Sequence, residues 1–185
     1  HMDGELIRAE IKVPGQHQVT NTLAAVRVAK LLGLDMEQMI RGIASVVPIA
    51  GRNRIIQEGN FTLIDDCYNA NPVSMKAALD LLSLADTRKV AILGDMFELG
   101  ENSDMLHSGV GCYAKGKTDL LICIGENAKH IYDGAKEAGV AHIYHFTDKE
   151  SFLREKENLL QAGDTILLKA SHGMAFETLI SQLLQ

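Results

Sequence analysis

Little in this chain points toward a membrane, a disulfide scaffold or a nucleic-acid surface. No apolar run approaches the roughly 18 residues that span a bilayer, and no signal peptide is read at its start. His1-Met2 reads as a cloning scar and is set aside. Three cysteines, Cys67, Cys112 and Cys123, with no CxxC pair, argue against a disulfide framework or a zinc ribbon. A reducing cytoplasm is the simplest compartment. The net charge of −6 disfavours nonspecific binding to nucleic acid, which needs basic surface. The histidines are scattered. His142 and His145 fall three apart in one expected strand and face opposite ways, so no metal site is expected.

What remains is ordinary for a globular protein. Hydrophobic residues make up 46% and charged residues 23% of the 185 positions, enough for one good-sized domain or one domain and part of another. From residue 61 the chain alternates strand and helix. Strands are expected at 61–65, 89–93, 120–124, 142–146 and 165–168. Helices are expected at 73–84, 103–115, 127–137, 149–161 and 174–184. Val90-Ala91-Ile92-Leu93 and Leu120-Leu121-Ile122-Cys123-Ile124 lack alternation, as strands covered on both faces do. Strands separated by helices imply right-handed crossovers. The expected fold is α/β, a Rossmann-like, mostly parallel sheet with flanking helices, over 49–185.

Residues 3–48 do not fit that rhythm. A half-buried strand is expected at 6–13, where Ile7, Ala9, Ile11 and Val13 alternate with Arg8, Glu10 and Lys12. Helices follow at 19–32 and 36–46, broken at Gly33. Two readings stay open: the tail of another domain, or an N-terminal extension packed on the main one. As a tail, the strand has an unpaired edge that invites docking or pairing with another chain.

The densest chemistry lies at the strand ends. In Ile64-Asp65-Asp66-Cys67-Tyr68-Asn69-Ala70-Asn71-Pro72, a buried strand runs into a helix entry, with Asn71 as cap and Pro72 at the first helical position. Such polar residues sit at the carboxyl edge of the sheet, where α/β folds bind ligands. Asp65 and Asp66 are adjacent and point oppositely, so they do not share a proton. Asp66 is read either as an acceptor for ribose hydroxyls or as a cap for loop N–H groups. Gly94-Asp95-Met96-Phe97-Glu98-Leu99-Gly100 ends the next strand. There Gly94 permits a tight turn or close approach to a ligand, and Asp95 and Glu98 are candidates for an ammonium group or a metal. Lys169-Ala170-Ser171-His172-Gly173 follows the last strand and suits an anion at backbone N–H groups.

One match fails on context. Gly111-Cys112-Tyr113-Ala114-Lys115-Gly116-Lys117-Thr118 fits GxxxxGK[ST], but a P-loop needs a strand before it and a helix after it. Here the order is reversed, and Gly116 reads as a helix stop.

At these residues the chain resembles the Mur ligases, ATP-dependent amide-forming enzymes of bacterial cell-wall synthesis. The Asp65–Pro72 and Leu93–Gly100 segments are most similar to the type that adds D-Ala-D-Ala to UDP-MurNAc-tripeptide. Gly15-Gln16-His17-Gln18-Val19-Thr20-Asn21 resembles the family's segment near the end of its central domain, and Gly51-Arg52 the opening of its C-terminal domain. The resemblance implies that 3–48 ends a central ATPase domain and 49–185 is the C-terminal Rossmann-like domain. It implies ATP and Mg2+ as cofactors, bound mainly by other parts of the same polypeptide, in the bacterial cytoplasm.

By resemblance, Asn21 contacts adenine, Arg52 reaches phosphate or ribose, and Asp66 holds ribose. Asn69, Asn71, Asp95 and Glu98 shape the nucleotide or dipeptide side, and Ser171 and His172 occupy the loop for the incoming substrate. No catalytic residue is assigned within the chain, and the chain by itself is expected not to ligate. Gln18 stands where the family usually has Asn, and His172 where Arg is common. A stand-alone Rossmann-like nucleotide-binding module is the alternative from another class. A folylpolyglutamate-type ligase is a third, disfavoured by the Asn-Ala-Asn-Pro and Gly-Asp-Met-Phe-Glu-Leu-Gly segments.

Overall fold

The computed structural model describes residues 8–184 and divides into two compact units, 1–49 and 50–185. In the larger unit, β1 (Arg54–Glu58) and β2 (Phe61–Asp65) form an antiparallel hairpin, with Glu58 opposite Phe61. Gly59, at φ 62°, opens the two-residue turn, where a positive φ suits the twist of the strands. There follow α3 (Pro72–Leu82), β3 (Lys89–Gly94), α4 (Ser103–Tyr113), β4 (Leu120–Ile124), α5 (Ala128–Ala138), β5 (Ile143–Phe146), α6 (Lys149–Leu159), β6 (Thr165–Lys169) and α7 (Glu177–Leu183). The numbers α1 and α2 belong to the smaller unit, where α1 is Gln16–Leu31 and α2 is Met36–Ala44.

The strand order is β1-β2-β6-β3-β4-β5, parallel except for β1. The chain lays β3, β4 and β5 outward and then returns to insert β6 between β2 and β3. That return brings the loops after β2, β3 and β6 side by side at the carboxyl edge, a switch in strand order of the kind where α/β sheets hold ligands.

Both faces of the sheet are covered. Ala91, Leu93, Leu121, Cys123 and Leu167 pack with α3, α4 and α5 in one core. Val90, Ile92, Ile122, Ile166 and Leu168 pack with α6 and α7 in the other. Successive strand residues point to opposite faces, so continuous apolar runs fill both cores. On the first face α4 and α5 approach closely at glycines. A Cβ on Gly111 would lie 1.9 Å from the Ile131 carbonyl oxygen, and one on Gly134 2.2 Å from that of Ser108. Gly111, the first glycine of the P-loop-like match, is therefore a packing residue. Gly116, at φ 73°, lies between the end of α4 and the start of β4, the order that rules out a P-loop.

Three sequence expectations need correction. The hairpin strand β1 was not foreseen: its exposed, non-alternating Arg-Ile-Ile-Gln-Glu gives little periodic signal. Gly59-Asn60 between two β-prone runs was the available cue. The last helix begins at Glu177, after a 3₁₀ turn at His172–Met174, rather than at 174. The expected strand over 6–13 is absent over its described part, 8–13, which carries no strand pairing. Residues 6 and 7 lie outside the described residues. Alternation alone cannot make a strand without a partner to take its ladder hydrogen bonds.

In the smaller unit Asp35 caps α2, accepting the Gln38 N–H at 2.8 Å while Gln38 Oε1 accepts the Asp35 N–H at 2.9 Å. Val26 and Met39 are its buried hydrophobic residues among those described. Ile11, Val13, Val26, Met39 and Ile43 help line an apolar groove within the unit.

Candidate functional site

The three loops at the carboxyl edge are tied together by polar contacts. Asp65 Oδ2 accepts the Gly51 N–H at 2.8 Å, and the Gly51 carbonyl accepts the Tyr68 N–H at 3.0 Å. Asp65 thus fixes the chain entering β1 against the loop leaving β2. Asp66 accepts the Asn53 N–H at 3.2 Å and pairs with Lys169 Nζ at 2.6 Å. Lys169 is 2% exposed, so its charge is held by this pair and by the Asn69 carbonyl at 2.7 Å. Loss of either partner leaves an uncompensated buried charge, a cost of about 3–5 kcal/mol. Of the two readings of Asp66, the cap is present, in the bond to Asn53.

The β6 loop also holds the β3 loop. Ser171 donates its N–H to the Asp95 carbonyl at 2.9 Å, and its Oγ accepts the Phe97 N–H at 2.8 Å. Met96 N–H donates to Nε2 of buried His107 at 2.9 Å, and His107 Nδ1 lies 2.8 Å from the Ser103 carbonyl. Both contacts are satisfied together when the ring proton is on Nδ1. Burial and the neighbouring Asp65 carboxylate push the Cys67 thiol up from its ordinary range, so it stays a thiol.

Above this base stands an exposed stack. The Arg52 guanidinium carbon lies 4.2 Å from the centre of the Tyr68 ring, and the His172 ring centre lies 5.6 Å from it. A guanidinium laid on an aromatic face keeps its N–H edge available to an anion. The three non-glycine residues with positive φ among those described, Asn53, Glu98 and Ala175, all lie in loops at this edge. Left-handed backbone costs a side-chain-bearing residue about 1–2 kcal/mol, and such strain gathers at functional sites.

The expected site residues therefore separate. Arg52, Asp66, Ser171 and His172 fall within one linked cluster, joined by Tyr68 and Lys169, which lie in segments the sequence marked but without a role of their own, and by Asn53, which it did not mark. Asn69 contributes its backbone to that cluster, while its side chain turns back to the Ala70 N–H at 2.8 Å. Asn71 is a helix cap: it accepts the Ser74 N–H at 2.9 Å and closes a capping box on α3. Asp95 is buried and accepts the Ala128 N–H at 2.7 Å, anchoring the start of α5. Asp95 is thus engaged with the start of α5, while Glu98 faces solvent. Gly94 serves packing rather than ligand approach, since a Cβ there would lie 2.6 Å from the Phe176 ring. The Ser171 N–H, taken by Asp95, is not open to an anion. In the smaller unit, Asn21 donates to Gln18 Oε1 at 3.1 Å, and Gln18 Nε2 lies 3.2 Å from His17 Nε2.

Among the described residues no group of three or more His, Cys, Asp or Glu side chains is arranged to hold a metal. No helix among them is long and apolar enough to cross a membrane.

A profile described as "Mur ligase, glutamate ligase domain" matches residues 51–172, which contain the Arg52–Tyr68–His172 stack and the Asp66–Lys169 pair. The chain belongs to the Mur ligase family. It is 37% identical over 193 residues to the UDP-N-acetylmuramoyl-tripeptide–D-alanyl-D-alanine ligase of Synechocystis, covering 99% of this chain and 42% of that protein. With the enzyme of the same name from Bacillus subtilis it shares 31% identity over 180 residues, 95% of this chain and 39% of the relative. A crystal structure of MurF from Acinetobacter baumannii superposes with a TM-score of 0.87 at 31% identity, over 95% of this chain and 39% of that one. The Mur ligase chain thus spans about two fifths of the length of these relatives.

Proposed function

We propose that this Mur ligase chain is the C-terminal part of an ATP-dependent ligase that joins D-Ala-D-Ala to UDP-MurNAc-tripeptide in peptidoglycan synthesis. The observation that carries the reading is the exposed Arg52–Tyr68–His172 stack beside the Asp66–Lys169 pair, at the edge where β6 returns between β2 and β3. The names of the relatives supply the substrates.

In this reading the tripeptide carboxylate attacks the γ-phosphorus of ATP, giving an acyl phosphate and ADP. The D-Ala-D-Ala amine then attacks the acyl carbon, loses a proton and expels inorganic phosphate, leaving the amide. This chain's residues bind and orient. Arg52 faces phosphate or ribose, Asp66 accepts ribose hydroxyls, and the edge carrying Ser171 and His172 meets the dipeptide. Residues 3–48 are the end of the central ATPase domain, and Asn21 lies on the adenine side. Magnesium is assigned to the other parts of the polypeptide, because Asp65, Asp66 and Asp95 at this edge are committed to Gly51, Lys169 and the start of α5. When bound, it neutralises charge developing on the phosphates. The chain alone does not ligate.

The test measures phosphate release by the complete polypeptide with UDP-MurNAc-tripeptide, ATP, magnesium and D-Ala-D-Ala. Dipeptide-dependent turnover that drops at least about a hundredfold in Arg52→Ala and Asp66→Ala is expected. A folded complete protein without turnover would contradict the ligase reading and return the stand-alone nucleotide-binding module.

A further inference from the structure

Lys169 is the last residue of β6 and one of the largest fully buried side chains in the protein. Its ammonium reaches three oxygens of the loop after β2: Asp66 Oδ2 at 2.6 Å, the Asn69 carbonyl at 2.7 Å and the Asp66 carbonyl at 3.4 Å. An ammonium group carries three protons, and this loop supplies an acceptor for each. The loop also carries Tyr68, on which Arg52 stacks. One buried side chain from the inserted strand therefore holds the segment that bears both halves of the site.

We propose that Lys169 is a positioning residue that clamps the 66–69 loop and sets the ligand class of Asp66, namely hydroxyl donors and not cations. The ligand class rests on the nucleotide reading above; the clamp does not. The Asp66 side chain keeps 13% of its surface open. A cation arriving there meets the Lys169 charge across one carboxylate, in surroundings where water screens little. Magnesium in addition demands near-octahedral oxygen ligands, and the neighbouring acid Asp65 faces the Gly51 and Cys67 N–H groups. A hydroxyl donates a proton to a carboxylate lone pair without adding charge. Held against an ammonium, Asp66 suits a sugar diol and resists a metal.

The test is NMR spectroscopy of the 185-residue chain and of Lys169→Met. In the wild type, a slowly exchanging Lys169 ammonium signal is expected, and magnesium chloride alone leaves the Asp66 carboxyl carbon unmoved. In Lys169→Met, the Tyr68 and Ala70 amides exchange at least about tenfold faster while β4 amides keep their protection. Magnesium then shifts the Asp66 carboxyl carbon, a response that a merely space-filling lysine would not control. If the single variant loses β4 protection, Lys169→Met with Asp66→Asn removes both charges and restores it, with the loop amides still fast. Unchanged loop exchange in Lys169→Met, or a magnesium response at Asp66 in the wild type, overturns the proposal.

ADP and 2′,3′-dideoxy-ADP separate the two readings. ADP is expected to move the Asp66 carboxyl carbon, and the dideoxy analogue is not. Equal responses at Asp66 overturn the hydroxyl assignment. No response to ADP anywhere at the edge defeats the nucleotide reading, and the clamp is then decided by exchange and magnesium alone.

Discussion

The two units use similar local devices and reach different degrees of completion. Asp35 starts α2 and Asn71 starts α3 with capping boxes of the same design. Yet 50–184 buries strands on both faces, whereas Leu23, Leu31, Leu32, Val47 and Ile49 in the smaller unit are 62–82% exposed. Helix signals in the sequence specify helices in both units. Among the described residues of the smaller one no second apolar layer covers these side chains, and helical stability in water comes mostly from packing an apolar face.

The sharpest way to break the comparison is to cut the chain between the units. Residues 50–185 are expected to unfold in one cooperative transition, and a peptide of 1–49 to show none, by circular dichroism during heating. A cooperative melt of the peptide would erase the distinction. Next in size is the α4–α5 contact. Gly111→Ala should cost about 3 kcal/mol, because the added carbon meets backbone. Gly109→Ala, with open space around it, should stabilise by about 0.5–1 kcal/mol through helix propensity. Urea midpoints of the two variants read this directly. Asp95→Ala removes a buried charged acceptor from the start of α5 and should cost about 2 kcal/mol, seen as a lower midpoint with an unchanged slope.

The matched caps sharpen the comparison further. Asn71→Ala should cost about 1 kcal/mol of the cooperative transition. Asp35→Ala should change only the local helical signal of α2. The smallest effect concerns α6. The Ser151 hydroxyl and N–H hold the carboxyl of its cap, Asp148, below the ordinary carboxylate range. A depressed value means this contribution is present above the ordinary carboxyl value and fades as pH falls through the lowered one. The Ser151 amide shift should follow that acid limb and lose it in Asp148→Asn.

Much of the larger unit was legible because its signals are local. Apolar runs marked β3, β4 and β6, and Asn71-Pro72 marked the start of α3. The strand order was not legible. Nothing in residues 165–169 says that they return between β2 and β3, and that insertion is what assembles the site. For the same reason Asp66 and the 169–173 segment were found one loop at a time and Arg52 only through the resemblance, while Lys169 was given no role of its own. A lysine at a strand end usually reaches water, and only the three-dimensional return buries it against Asp66. Asn71 was legible as a cap, but Asp95 was legible as an important residue and not as a structural one, since an anchor for a helix start and a ligand-binding group use the same chemistry. The strand expected over 6–13 shows the limit from the other side, where periodicity is present and a pairing partner is not.

The most direct test of the account is a map of amide shifts on adding ADP to this chain. In the proposed reading the edge formed by the loops after β2, β3 and β6 is the nucleotide face, so shifts should concentrate at 51–53, 66–71, 95–98 and 169–173. Shifts confined to the opposite end of the sheet, around Arg88, Lys115 and His142, or spread evenly over the surface, would contradict it.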